Sequence, residues 1–278
     1  MIESDSEGMP FDRLRRALIY QRSKNVDDTL AFGTRRNVYD INYEWACHSM
    51  WPKQITDPEA KRCRIGTFEY GTTKPYSASV LNISAMSYGA ISDNAILALS
   101  AGAKLGNFYH NTGEGGVSKS HLKGGGDIVW NVGTGYFGCG SNDAQGRRVF
   151  EPAMLKHTVD EAQGRIKMIE IKLSQGAKPG HGGILPMAKI TPEIADARKL
   201  PYPPTGDCHS PARHSAFSNA WELVEFISTV RQASGGLPVG IKMCVGEPGD
   251  VATLAKAMLD IGNGPDFITV DGTSLLQI

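Results

Sequence analysis

The stretch that most constrains this chain is Ile169-Glu170-Ile171-Lys172-Leu173-Ser174-Gln175-Gly176-Ala177-Lys178-Pro179-Gly180-His181-Gly182-Gly183. Its first half alternates apolar and polar β-formers, and glycine and proline then take over, so a strand ends there in an open loop. Lys172, Gln175 and Lys178 stand at the mouth of that loop, among four glycines that clear the space around them. Fixed positive charge beside exposed backbone N–H groups suits an anionic ligand. A solvated, glycine-rich turn with surface lysines is the plainer reading of the same composition.

The same punctuation recurs along the chain. Residues 80–86 read as a strand, 87–91 as a turn, and Ser92 or Asp93 as the cap of a helix over 94–104 that stops at Gly106. A second strand over 107–111 runs into Thr112-Gly113-Glu114-Gly115-Gly116, and a third lies around 136–139, before a helix over 152–162. The fourth strand spans 167–173. Beyond a proline-rich loop come a helix over 221–232, a fifth strand over 238–245, a helix over 251–261 and a sixth strand over 266–270. Strands alternating with helices imply right-handed crossovers and a parallel sheet. Glycine-rich or charged residues just after the strand ends favour an α/β fold of the (β/α)8 TIM-barrel type, with about six of its eight strand–helix units present. An open doubly wound sheet is the alternative, but its G-x-G-x-x-G signature is absent after the first strand.

Residues 1–77 read as an irregular N-terminal extension with one helix near 11–21, packed on the barrel of 78–278 through Tyr39, Tyr43, Trp45 and Trp51. Lys and Arg number 29, as do Asp and Glu, without long blocks of either sign, so neither nucleic acid nor a membrane surface is the expected partner. A small-molecule substrate is. The five cysteines are widely spaced with no C-x-x-C pair, so no metal ligand set is read, and their odd number argues for reduced thiols and a cytoplasmic protein. No long apolar run or signal-peptide pattern is present.

Three motifs in register carry a resemblance. Leu81-Asn82-Ile83-Ser84-Ala85-Met86-Ser87-Tyr88-Gly89-Ala90-Ile91-Ser92, Asn111-Thr112-Gly113-Glu114-Gly115-Gly116 and the central stretch through Pro186 resemble the FMN-binding domain of glutamate synthases. Gly135-Tyr136-Phe137-Gly138-Cys139 and Ser210-Pro211-Ala212-Arg213-His214-Ser215-Ala216-Phe217-Ser218 resemble the shorter FMN-binding glutamate synthase family proteins. The resemblance implies an FMN-carrying (β/α)8 barrel and reductive amination of 2-oxoglutarate to L-glutamate, by hydride transfer from the flavin to 2-iminoglutarate. It also implies the site. Cofactor-binding residues are Ala85, Met86, Ser87, Asn111, Lys172, Gln175, Lys242, Asp271 and Gly272; substrate-binding residues are Glu114, Lys178 and Arg198; Glu114 and Lys172 are catalytic. A cation beside the flavin's polar edge favours its reduced anion, and two cations suit two carboxylates.

Departures from the family pattern are equally specific. Where large glutamate synthases place a glutamine after the Gly-Gly pair, this chain has Ile184, which cannot donate a hydrogen bond; a different 2-oxo, 2-hydroxy or amino acid is the alternative substrate. Family members continue after Val-Asp-Gly with strands that bind the FMN phosphate and with cysteines of an iron–sulfur cluster, whereas Asp271-Gly272 is followed here by six residues. The expectation is an incomplete barrel that lacks the phosphate site and the cluster cysteines, binds FMN weakly or not at all, and has little activity. A non-catalytic fragment, self-association through an open sheet edge, and an electron-donor protein as partner are the corresponding possibilities.

Overall fold

The computed structural model describes residues 11–27, 37–41, 43–45, 47, 49–52, 54, 56–57, 61–175 and 182–272. The chain divides into two units, Met1–Gln54 and Ile55–Ile278. In the first, helix α1 (Arg13–Ser23) begins where Asp12 accepts a hydrogen bond from the Arg15 N–H at 2.8 Å. Tyr43 and Trp45 stack with centroids 6.1 Å apart.

In the second unit β1 (Cys63–Ile65) and β2 (Tyr76–Ala78) form an antiparallel pair. There follow α2 (Asp93–Gly106), β3 (Tyr109–Asn111), α3 (Lys119–Gly124) and β4 (Asp127–Val132). A small antiparallel pair, β5 (Gly140–Asn142) with β6 (Arg148–Phe150), leads to α4 (Pro152–Glu161) and β7 (Ile166–Lys172). Next come β8 (Ile184–Leu185), α5 (Pro192–Arg198) and β9 (Cys208–His209), then α6 (Ala220–Ala233), β10 (Val239–Met243), α7 (Pro248–Ile261) and β11 (Ile268–Val270).

Five strands form one parallel sheet in the order β11-β10-β7-β4-β3. It curls into a half-barrel with helices against it, a partial TIM-barrel-type fold. Strand periodicity sorts the faces. Ile128, Trp130 and Val132 of β4, Ile169 and Ile171 of β7, and Val239 and Ile241 of β10 form one core with Leu223, Val224, Ile227 and Val230 of α6. The opposite faces carry Val129, Met168 and, one step further along, Asn131, Glu170 and Lys172. Tyr76 and Ala78 of β2 pack against Val129 and Met168, which fills that end of the concave side with apolar side chains.

Two expected strands differ. Residues 136–139 are not extended: Tyr136 and Gly138 have φ of 47° and 87°, in the left-handed region no strand uses. They form a buried turn after β4, where Tyr136 lies against Phe150, His214 and Phe226. The strand belongs instead to Asp127–Val132, whose Asp and Asn disguise it. Over 80–86, Ile83 alone pairs, bridging in parallel to His110 at the β3 edge, so the sixth sheet position is held by one residue. The expected helices are present, and Ser92 caps α2 through the Ala95 N–H.

At the N-terminal end of the sheet, Arg231 of α6 and Asp266, just before β11, form a buried ion pair at 3.0 Å. Asp266 also accepts from the N–H groups of Thr67 and Val239 and from Thr72 Oγ1, while Arg231 donates to the carbonyls of Tyr70 and Gly264. Breaking a buried pair on one side strands the other charge. Arg231→Met should therefore lower the unfolding free energy by about 3–5 kcal/mol in denaturant titrations. A second buried polar pair has the opposite character. His110 on β3 lies 5.2 Å, centroid to centroid, from His121 on α3, and neither nitrogen of His110 is hydrogen-bonded among the described residues. Burial pushes their pKa values down, to about 4 for His110 and about 3 for His121, where the neighbouring His110 adds to the effect. The unfolded chain takes up protons below about pH 6.5 that the folded one refuses, so stability is full above that pH and falls as pH drops toward 4. Unfolding measured across that window should show the decline, and His110→Leu should flatten it.

Candidate active site

A cavity of about 430 Å³ opens at the C-terminal ends of the strands. The loop after β3 brings Glu114 into it, β7 and the turn beyond bring Lys172 and Gln175, and β10 brings Lys242. Ala85, Met86 and Ser87 line it as well. Two parallel strands in register set the cations side by side, because Lys242 pairs with Lys172 along the β10–β7 ladder.

Lys172 Nζ lies 3.1 Å from Glu114 Oε1 and donates to Gln175 Oε1 at 2.8 Å. Both partners of this ion pair are largely enclosed, with side chains 16% and 14% exposed, so the attraction is screened far less than at a surface. Ser210 Oγ donates to the other oxygen, Glu114 Oε2, at 3.4 Å. Lys242 Nζ is 3.4 Å from Asp271 Oδ2. Of the three lysines that line the cavity, Lys172 and Lys242 thus each have a carboxylate of their own, and Lys189 is the third.

Glycine makes the close approach possible. A Cβ on Gly113, whose φ is 65°, would lie 2.6 Å from the Ser87 N atom and 2.8 Å from the Met86 carbonyl carbon. A Cβ on Gly133 or Gly183 would stand 2.7 Å or 2.5 Å from a Glu114 carboxylate oxygen. The glycine-rich loops therefore seat the 85–87 segment and the Glu114 side chain rather than leaving loose space.

Arg198 lines the cavity from α5, but its terminal nitrogens are occupied: Nη2 donates to the Tyr88 carbonyl at 3.0 Å and Nη1 to Cys208 Sγ at 3.4 Å, with the guanidinium over the Phe137 ring. Asn111 stands off the cavity, and Gly272 does not line it. Lys178 lies outside the described residues.

Residues not singled out in the sequence complete the site. Glu170, 2% exposed, accepts from Asn111 Nδ2 and Asn131 Nδ2 at Oε1 and from Thr269 Oγ1 at Oε2. Its signal was a carboxylate two places before Lys172 on the same strand face. His214, from the Ser210–Ser218 motif, makes a 2.8 Å hydrogen bond from Nε2 to the Lys172 carbonyl and stacks on Phe217, which steadies the end of β7. Burial pushes its pKa down to about 4 against the opposing effects of that carbonyl and of Glu114, so the ring is neutral and Nε2 is the donor. Among the described residues no group of three or more His, Cys, Asp or Glu could hold a metal, and no helix is long and apolar enough to cross a membrane.

The fold is a partial TIM-barrel-type α/β domain with its cavity at the strand C-terminal ends, where such folds carry their sites. The chain belongs to the glutamate synthase family: residues 49–274 match the model of the conserved region in glutamate synthase. It is 41% identical over 207 residues to the glutamate synthase large subunit-like protein YerD of Bacillus subtilis, covering 74% of this chain and 38% of that protein. It is 33% identical over 189 residues to the archaeal-type glutamate synthase [NADPH] of Thermotoga neapolitana, covering 68% of this chain and 32% of that protein. The archaeal glutamate synthase [NADPH] of Methanocaldococcus jannaschii is 31% identical over 191 residues. The matched region spans about a third of the length of these relatives.

The close seat of Gly113 gives a direct check. Gly113→Ala adds left-handed strain of about 1–3 kcal/mol to a clash with the 85–87 backbone, and urea unfolding should show at least that loss.

Proposed function

We propose that this chain carries the flavin- and substrate-facing part of a glutamate synthase-type oxidoreductase, which forms L-glutamate by reductive amination of 2-oxoglutarate. The observation that supports this most is the pairing of Lys172 and Lys242 on adjacent strand ends, with Glu114 on the first of them, in a cavity that Ala85, Met86 and Ser87 also line. The donor set fits the polar edge of FMN: two ammonium groups suit its carbonyl and ring-nitrogen side, Ala85, Met86 and Ser87 line the same cavity, and the volume lies in the range of small-molecule sites. Bound there, FMN would supply hydride-transfer chemistry.

The chain's own groups do the rest. Lys172 draws the Glu114 carboxylate to 3.1 Å and so fixes it facing the cavity, with Ser210 on its second oxygen. From that position Glu114 exchanges a proton with the nitrogen of a bound imino acid, as a general acid–base group held by two partners. Lys172 and Lys242 place positive charge where negative charge develops on a bound ring. Arg198 adds to the positive potential of the wall, and Lys178 enters as a second substrate cation. Cytoplasmic residence and an electron-donor partner belong to the same reading.

Ile184 favours a second substrate. It lines the cavity, 58% exposed, and its side chain offers no hydrogen bond to a carboxylate, so a 2-oxo acid with a less polar side chain is the alternative substrate.

Fluorescence titration of the purified chain with FMN, followed by glutamate formation from ammonia, 2-oxoglutarate and chemically reduced flavin, tests the proposal. Weak but saturable quenching that Lys242→Met weakens further, and slow turnover lowered about 10²–10⁴-fold in Glu114→Gln, are expected. No quenching by FMN, or full turnover in Glu114→Gln, would overturn it. A panel of 2-oxo acids ranks the two substrate readings.

A further inference from the structure

Four cations and one carboxylate line the cavity: Lys172, Lys189, Arg198 and Lys242 against Glu114. Three of the four cations are engaged. Lys172 meets Glu114 and Gln175, Lys242 meets Asp271, and the terminal nitrogens of Arg198 donate to the Tyr88 carbonyl and to Cys208 Sγ. The side chain of Lys189 makes no hydrogen bond or ion pair with any of the described residues.

The backbone that carries Lys189 is, by contrast, held on both sides. Lys189 ends a single tight helical turn over Met187–Lys189, between Leu185 and Ile190, which are buried in one apolar cluster with Tyr88 and Ile194. The Lys189 N–H donates to the Pro186 carbonyl at 2.9 Å, and Asp207 Oδ1 accepts the Met187 N–H at 2.8 Å. A fixed segment thus carries an exposed, unengaged ammonium group. Ile184, Leu185 and Pro186, just before it on the same segment, give the cavity lining an apolar strip.

A lysine in water needs no partner, because water solvates its charge. In a cavity with an excess of cations, an unengaged ammonium adds to a field that gathers anions, and it has no carboxylate of its own to release when one arrives. Lys172 and Lys242 would each have to loosen theirs. The strip before Lys189 suits methylene groups, and Lys189 suits an anionic group at their end.

Resting on the reading of this cavity as the substrate site, we propose that Lys189 binds the distal carboxylate of a 2-oxo dicarboxylic acid and so sets a preference for substrates with two acid groups. Ile184 offers that carboxylate nothing; Lys189, five positions further on, supplies the charge. The methylene stem of the substrate lies along Ile184 and Pro186, and its oxo end lies toward Glu114.

Calorimetric titration of the full chain in excess FMN tests this with two acids of one shape. These are 2-oxoglutarate and 5-methyl-2-oxohexanoate, in which an isopropyl group stands where the distal carboxylate was. The dicarboxylate should bind at least about tenfold more tightly, and the ratio should shrink as salt is raised. Lys189→Met should bring the ratio down to about one through loss of 2-oxoglutarate affinity alone, with the isopropyl acid and FMN bound as before. Lys189→Arg should keep most of the preference.

A preference that survives in Lys189→Met would overturn the assignment. Equal weakening of both acids in that variant would overturn it too, because Lys189 would then act on any anion through the general field. A wild-type ratio near one, with both acids bound, would overturn it while leaving the cavity as the substrate site and favouring the less polar acid. Failure of both acids to bind would overturn this inference together with the reading on which it rests.

Discussion

The carboxylate of Glu170 is the constraint around which the concave face is built. Its partners stand on β3, β4 and β11, although in the sheet order β3 and β11 are each two strands away from β7. In a flat sheet two strands of separation is about 9–10 Å, too far for short Asn and Thr side chains to meet one carboxylate. They meet because the sheet curls. A buried, multiply bonded anion is costly to form and harder still to leave half-satisfied, so this polar layer favours the curled arrangement over alternatives that would break it. Gly240 contributes on the fourth strand: at the register of Glu170 it leaves room for the Phe267 ring, which a Cβ would approach to 2.5 Å.

The layers on either side follow from that one. Toward the strand N-termini, Val129 and Met168 pack with Tyr76 and Ala78, and the Arg231–Asp266 pair ties α6 to the start of β11 and to the turn before β2. Toward the C-termini, the next inward positions on β7 and β10 are Lys172 and Lys242. Alternation along a parallel strand thus converts a two-residue step in sequence into a change of function, from a structural anion to a ligand-facing cation. His214 holds the carbonyl of Lys172, while the glycine loops and Lys172 itself hold Glu114.

Much of this was legible before any fold was known. The Lys167 to Leu173 strand, its glycine-rich exit, the helices over 94–104 and 221–232, and the place of Glu114 in a glycine loop all rest on local rules of periodicity, capping and chain stiffness. The strand at Asp127–Val132 was hidden because Asp127 and Asn131 interrupt its apolar run with polar residues, which reads as a loop when burial is unknown. The turn at 136–139 looked like a strand because its residues are aromatic and buried, although two of them take a left-handed backbone. Arg198 shows the same limit from the other side. The family resemblance implied a substrate-binding role, but which groups meet its guanidinium depended on where Tyr88, Phe137 and Cys208 came to lie.

The sequence by itself determined the alternation of strands and helices, the parallel sheet that such alternation requires, and the gathering of Lys172, Gln175 and Glu114 at strand exits, since each depends on neighbours a few residues away. The tertiary structure alone decided that Lys242 stands beside Lys172 and that Glu170 binds Asn111, Asn131 and Thr269. Those pairs are separated by 39 to 99 positions in most cases. Their meeting is set by strand register and sheet curvature, quantities that no short stretch of the chain contains.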